Sequence, residues 1–110
     1  MVLFWEELLN TFHKKYFIYP MVLSLQEIEH LLLEVPQWQL VDGYIERTFV
    51  FERFVDAIEF VNIVAEIAES VGHHPDIDIR YTSVKLVLVT HDAGGLTSKD
   101  FEEAKRIDCI

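Results

Sequence analysis

The chain has 110 residues, enough for one domain with a modest core, and its composition, half apolar and a quarter charged, is typical of a soluble globular protein. Its 19 acidic and 9 basic side chains give a formal net charge of −10, and the acidic excess falls within residues 21–110. This charge repels phosphate backbones and anionic membrane surfaces, so the sequence predicts neither direct nucleic-acid binding nor adsorption to a membrane.

Residues 1–20 carry apolar side chains at helical spacing, which predicts a helical extension in front of a single domain over residues 21–110. Glu6 and Glu7 interrupt the apolar part, and no basic segment or cleavage site accompanies it, so we expect neither a signal peptide nor a membrane span. Cys109 is the only cysteine, which excludes an internal disulfide. The sequence therefore predicts a cytoplasmic protein.

The sequence of the first half of the domain predicts a helix followed by a β-hairpin. Ser24-Leu-Gln-Glu27 is a capping box, and Pro36 ends the helix that it begins. Aromatic and β-branched residues over 38–51, interrupted at Asp42-Gly43, indicate two antiparallel strands joined by a tight turn.

A long helix is predicted from Phe54 to Val71, with Gly72 in position to end it. Its predicted core stripe consists of Phe54, Ala57, Ile58, Val61, Val64, Ala65 and Ala68. A second apolar row comprises Phe60, Ile63, Ile67 and Val71. This second row exceeds what one sheet needs to cover, so it predicts either a deep core or a subunit contact in a homo-oligomer, a dimer or a tetramer.

Two further strands and a helix complete the domain. Alternation over 77–81 predicts a half-buried strand with Tyr81 on its buried face, and the apolar run Val84–His91 predicts a central strand. A loop at 92–95 leads to a last helix, capped by the Thr97–Asp100 segment. The predicted fold is α+β: a two-layer sandwich in the order α-β-β-α-β-β-α, with a four-stranded antiparallel sheet and helices on one face.

The segment ESVGHHPD sets two adjacent histidines, His73 and His74, at the end of the long helix. The partial negative charge of a helix C-terminus favours imidazolium, and Pro75 restricts His74 to extended geometry. If the last two strands form a hairpin, His91 returns to the same corner.

Three interpretations of this corner remain open from the residues alone. The histidines lie in a turn without a shared task, or they bind one metal ion, or they exchange protons with a small substrate. Adjacent histidines suit a metal poorly because consecutive side chains diverge. No nucleophile motif, phosphate-binding glycine loop or dinucleotide fingerprint competes with the third interpretation.

Several residues recur at spacings that are typical of a known family: Glu69, His73-His74-Pro75, Tyr81, His91 and Asp100. Together with W-x-L at Trp38, RTFVF at 47–51 and THDAGGLT at 90–97, they resemble the pterin-4a-carbinolamine dehydratases over residues 24–108. The resemblance implies loss of water from a 4a-hydroxytetrahydropterin to give a quinonoid dihydropterin, with no metal or other cofactor.

The resemblance also implies site residues. The catalytic set is His73, His74 and His91; the substrate-binding set is Pro75, Val89, Thr90 and Asp92; the supporting set is Glu69 and Asp100. We expect Glu69, four residues before His73, to orient or charge-stabilise an imidazole, and helix capping also accounts for Asp100.

An alternative class is a protein-binding module. The resemblance implies it because animal members of this family also stabilise dimers of a homeodomain transcription factor through the helix that builds their own oligomer. The second apolar row of the long helix would serve such a role.

Overall fold

A computed structural model describes residues 21–110, and it confirms the predicted α+β fold, with one four-stranded antiparallel sheet and three helices. The predicted helical extension over residues 1–20 lies outside the described residues. The elements are α1 (Leu25–Leu32), β1 (Gln39–Val41), β2 (Tyr44–Val50), α2 (Phe54–Val71), β3 (Asp76–Arg80), β4 (Ser83–Leu88) and α3 (Ser98–Asp108). No helix within 21–110 is long and apolar enough to cross a membrane.

The sheet has the strand order β1-β2-β4-β3, so β4 is central, as predicted. Val84, Leu86 and Leu88 alternate along β4 and are fully buried, whereas Lys85 between them is exposed. The first hairpin turns at Asp42 and Gly43, whose φ angles of 49° and 86° match the turn that an Asp-Gly pair favours.

The predicted end of β4 is wrong. The strand stops at Leu88, and His91 instead begins a short 3-10 turn, His91–Ala93. Thr90 causes this change, because its backbone pairs with Gly95 and its carbonyl accepts from the amides of Ala93 and Gly94. The chain therefore folds back directly after Thr90.

The prediction for Tyr81 is also wrong. This residue is 76% exposed and has a φ of 52°, because it lies in the two-residue turn between the paired residues Arg80 and Ser83. β3 is an edge strand, so Ile77 and Ile79, which face the helices, keep 37% and 38% exposure. Their predicted burial is only partial for this reason.

Helix α2 has the predicted bounds, and Gly72 follows it with a φ of 66°. Its buried residues are Ala57, Phe60, Val64 and Ala68. Phe60 thus belongs to the core, where its ring lies 4.6 Å from that of Phe49 and 5.1 Å from that of Phe51. Two residues of the predicted core stripe, Phe54 and Ala65, are instead exposed.

Helices α1 and α3 both begin with the predicted caps. The Ser24 and Glu27 side chains form a reciprocal capping box, and Thr97 and Asp100 form another. The apolar side of α3 joins the core through Phe101, Ala104 and Ile107. This packing brings the first turn of α3 next to the end of α2, where the site described below lies.

Candidate active site

His73 is held between the end of α2 and the start of α3. Its backbone amide donates to the carbonyl of Ala68, and its Nε2 lies 2.5 Å from Oδ1 of Asp100. The imidazole is 12% exposed, while the carboxylate is fully buried. The C-terminal end of α2 favours a cation and the N-terminal end of α3 favours an anion, so both helices support this pair.

Asp100 has a second set of donors on its other oxygen. Oδ2 accepts from the amide of Thr97 at 2.9 Å and from the hydroxyl of Thr90 at 2.8 Å. The two threonine hydroxyls also lie 2.8 Å apart. Asp100 therefore caps α3 and orients His73 with the same carboxylate, and the hydroxyl of Thr90, a predicted substrate-binding residue, is used inside the protein.

His74 has a different partner. Its Nε2 lies 3.0 Å from Oε1 of Glu69, and both side chains are exposed. Glu69 therefore contacts an imidazole, and it is that of His74 and not that of His73. The physical reason is that consecutive side chains of an extended segment diverge, so His73 faces α3 while His74 stays beside the last turn of α2.

His91 is exposed and directly follows Thr90. Since Thr90 donates to Asp100 and Asp100 contacts His73, these hydrogen bonds connect the His91 segment to the His73-His74 segment. Among the other predicted substrate-binding residues, Pro75 and Val89 are half-buried and Asp92 is exposed. Within residues 21–110, no group of three or more His, Cys, Asp or Glu side chains is arranged to hold a metal ion.

Sequence reasoning missed Glu103. This residue is 1% exposed, and neither carboxyl oxygen has a hydrogen-bond partner within the part of the chain that the structure describes. Burial raises its pKa to about 7, an increase that the charge of His73 opposes and that of Asp100 reinforces. The available signal was its spacing, because Glu103 shares the α3 face of Asp100, Ala104 and Ile107.

Glu103 and His73 border a common pocket of about 150 Å³. The remaining lining residues are Val71, Lys99, Glu102 and Arg106. The pocket thus combines one imidazole with acidic and basic groups of α3.

The described fold and site define a small α+β protein with a histidine–carboxylate pair suited to proton transfer. A family model described as pterin 4 alpha carbinolamine dehydratase matches residues 21–110. The chain therefore belongs to the pterin-4a-carbinolamine dehydratase family, as its motifs predicted.

Individual relatives agree with this assignment. A protein of Acidobacterium capsulatum, named as a candidate pterin-4-alpha-carbinolamine dehydratase, is 54% identical over 88 residues, covering 80% of this chain and 96% of its own. A similarly named protein of Gloeobacter violaceus is 60% identical over 83 residues, which cover 72% of this chain and 90% of the relative. The crystal structure of a transcriptional coactivator/pterin dehydratase from Brucella melitensis aligns with a TM-score of 0.77 at 32% identity. The alignment covers 80% of this chain and 96% of that protein.

Proposed function

We propose that the protein converts a 4a-hydroxytetrahydropterin into the quinonoid dihydropterin by histidine general acid–base catalysis, which supports tetrahydropterin recycling. The observation that carries this proposal is the His73–Asp100 pair, an imidazole oriented by a buried carboxylate that Thr90, the residue before His91, also contacts. Membership of the family supplies the substrate class.

The reaction requires two proton transfers. The C4a–O bond breaks as a proton reaches the departing hydroxyl oxygen, N5 loses its proton, and the N5 electron pair forms the C4a=N5 double bond. Water and the quinonoid dihydropterin are the products. Imidazolium can act as the acid and neutral imidazole as the base, since both forms coexist near neutral pH.

The hydrogen bonds of the two adjacent histidines define which nitrogen of each ring can exchange a proton with the substrate. Nε2 of His73 faces Asp100 and Nε2 of His74 faces Glu69, so Nδ1 is the nitrogen of each ring left for a substrate proton. Asp100 also stabilises positive charge on His73 within a buried setting, whereas the exposed Glu69 does this weakly for His74. In this proposal His91 completes the catalytic set, and the assignment of acid and base among the three remains open.

Dehydration of freshly generated 4a-hydroxytetrahydropterin tests this proposal against the spontaneous rate. We expect the wild type to accelerate the reaction, and His73→Ala and His91→Ala each to lower kcat by about 100-fold or more, the usual contribution of a general acid or base. His30→Ala is the matched control, because His30 is an exposed histidine of α1. Circular dichroism verifies that each variant is folded.

Two outcomes contradict the proposal. Folded wild type that leaves the spontaneous rate unchanged would exclude the dehydratase function. Acceleration that survives in both His73→Ala and His91→Ala would mean that other groups transfer the protons.

The second candidate function is a protein-binding and self-association module, and one observation favours it. The outer side of α2 leaves Phe54, Val55 and Ile63 exposed by 50%, 46% and 42%. The solved relative from Brucella melitensis is titled both a coactivator and a dehydratase. In this proposal the exposed side of α2 forms the contact between copies of the chain.

A concentration series by light scattering tests this contact. We expect the wild type to be a dimer or tetramer and Ile63→Asp to dissociate, because a buried unpaired carboxylate opposes association. Ile67 is a poorer choice, since it packs partly against the core and its replacement would disturb the fold. Glu66→Gln, an exposed change on the same helix, is the control. Wild type that stays monomeric at all concentrations rules out this interface.

A further inference from the structure

Glu103 is a buried carboxyl that the proposed mechanism does not use. It follows Asp100 by one turn of α3 and borders the same pocket as His73. A buried carboxyl without donors costs free energy unless it holds a proton or faces a positive charge. Its place beside the only histidine that contacts Asp100 in the described residues therefore calls for an explanation.

We propose that Glu103 is a positioning residue for His73: the two carboxyls and the imidazole form one electrostatically coupled cluster, in which ionised Glu103 favours the protonated ring. The catalytic consequence of this coupling rests on the proposed dehydratase function, whereas the coupling itself does not. In this role Glu103 controls the pH range over which His73 keeps its proton.

The hydrogen bonds distinguish the two carboxyls of the cluster. Asp100 receives donors on both oxygens, from Thr97, Thr90 and His73, whereas Glu103 receives none from any residue between 21 and 110. Donors stabilise a carboxylate, and desolvation favours the neutral acid. Glu103 is therefore the carboxyl that takes up and releases a proton near neutral pH, in agreement with its pKa of about 7.

The other charged groups facing Glu103 come from two elements. The segment after α2 contributes His73 and His74, and α3 contributes Lys99, Asp100, Glu102 and Arg106. The charges of His73, His74 and Arg106 lower the pKa of Glu103, and that of Asp100 raises it. Because electrostatic interaction is mutual, the charge on Glu103 acts on His73 to the same extent.

The pKa of Glu103 determines at which pH this carboxyl carries a charge that acts on His73. Below about pH 7 its carboxyl is neutral and adds no charge to the cluster. Above that pH it becomes an anion beside the imidazole, which favours imidazolium. Ionised Glu103 therefore adds an attraction for the imidazolium that a chain without this carboxyl lacks.

NMR titration of the His73 ring tests the coupling without any assay of activity. In Glu103→Gln we expect the midpoint of the His73 resonance to move by up to about one pH unit toward lower pH. Glu102→Gln, at a neighbouring exposed residue of the same pocket, is the control and should leave the midpoint in place. Glu103→Leu removes the charge without adding a polar group, so it replaces Glu103→Gln if that variant does not fold.

The pH dependence of kcat gives the second readout. If the dehydratase function holds, kcat of Glu103→Gln should match that of wild type at pH 6 and differ from it by up to about tenfold at pH 8.5, lower if His73 is the acid and higher if it is the base. An inactive wild type would overturn the dehydratase function and leave the NMR result to decide on the coupling. A His73 midpoint that is unchanged in every folded Glu103 variant overturns the inference.

Discussion

Replacing Asp100 by alanine is expected to lower the free energy of unfolding by about 3 kcal/mol or more, because it removes one partner of a buried charged pair together with a helix cap. The carboxylate is fully buried and accepts from Thr97, Thr90 and His73. Its loss leaves these donors without their acceptor in the core. Urea denaturation at pH 7 measures the change.

Two further variants make this prediction specific. Asp100→Asn keeps the shape of the side chain and one accepting oxygen but presents an amide N–H on the other side. We therefore expect it to lower the free energy of unfolding by less than Asp100→Ala does. Glu102→Ala removes an exposed acid from the same helix and should change stability by less than about 0.5 kcal/mol. An Asp100→Ala variant as stable as Glu102→Ala would show that the network contributes nothing to folding.

Glu103→Leu is expected to stabilise the protein increasingly as the pH rises. The folded-state pKa of about 7 lies above the ordinary value of 4.5, so the stabilising protonated form is fully present below pH 4.5. Wild type loses this contribution as the pH rises from 4.5 through 7. At 1.36 kcal/mol per unit, the loss amounts to about 3 kcal/mol by pH 8.

The measurement compares urea denaturation of Glu103→Leu and wild type at pH 5 and pH 8. The difference between their unfolding free energies should grow by about 2 to 3 kcal/mol between the two pH values. Other groups titrate in both proteins and largely cancel in the comparison. Glu102→Leu is the matched control and should show no such growth. A pH-independent difference for Glu103→Leu would mean that Glu103 titrates like an exposed glutamate.

The sequence predicts the fold well because each helix and turn has a local signal. The Ser24 box, the Asp42-Gly43 turn and Gly72 are recognisable from residue types that favour one backbone geometry. Two errors come from turns that the residue types do not signal. Tyr81 has a strand-forming side chain yet turns the chain, and Thr90 ends β4 through its pairing with Gly95.

The site is less predictable because its contacts join distant segments. The histidine motif indicates which rings matter, and spacing along α2 places Glu69 near them, but it does not indicate which carboxylate pairs with which ring. The partner of His73, Asp100, lies 27 residues further along the chain. Glu103 carries even less signal, because a glutamate on an amphipathic helix is ordinarily solvated. Its burial depends on how α3 packs against the end of α2.

The double use of the Asp100 carboxylate has a consequence for selection experiments. A library of variants screened only for folded, protease-resistant protein would retain Asp100, because one of its oxygens fixes the start of α3. His73 carries no such cap, but its loss would leave the buried carboxylate without its imidazole, so the same screen would also restrict it. Retention of Asp100 among survivors would thus report on folding and would not by itself be evidence for a role in chemistry.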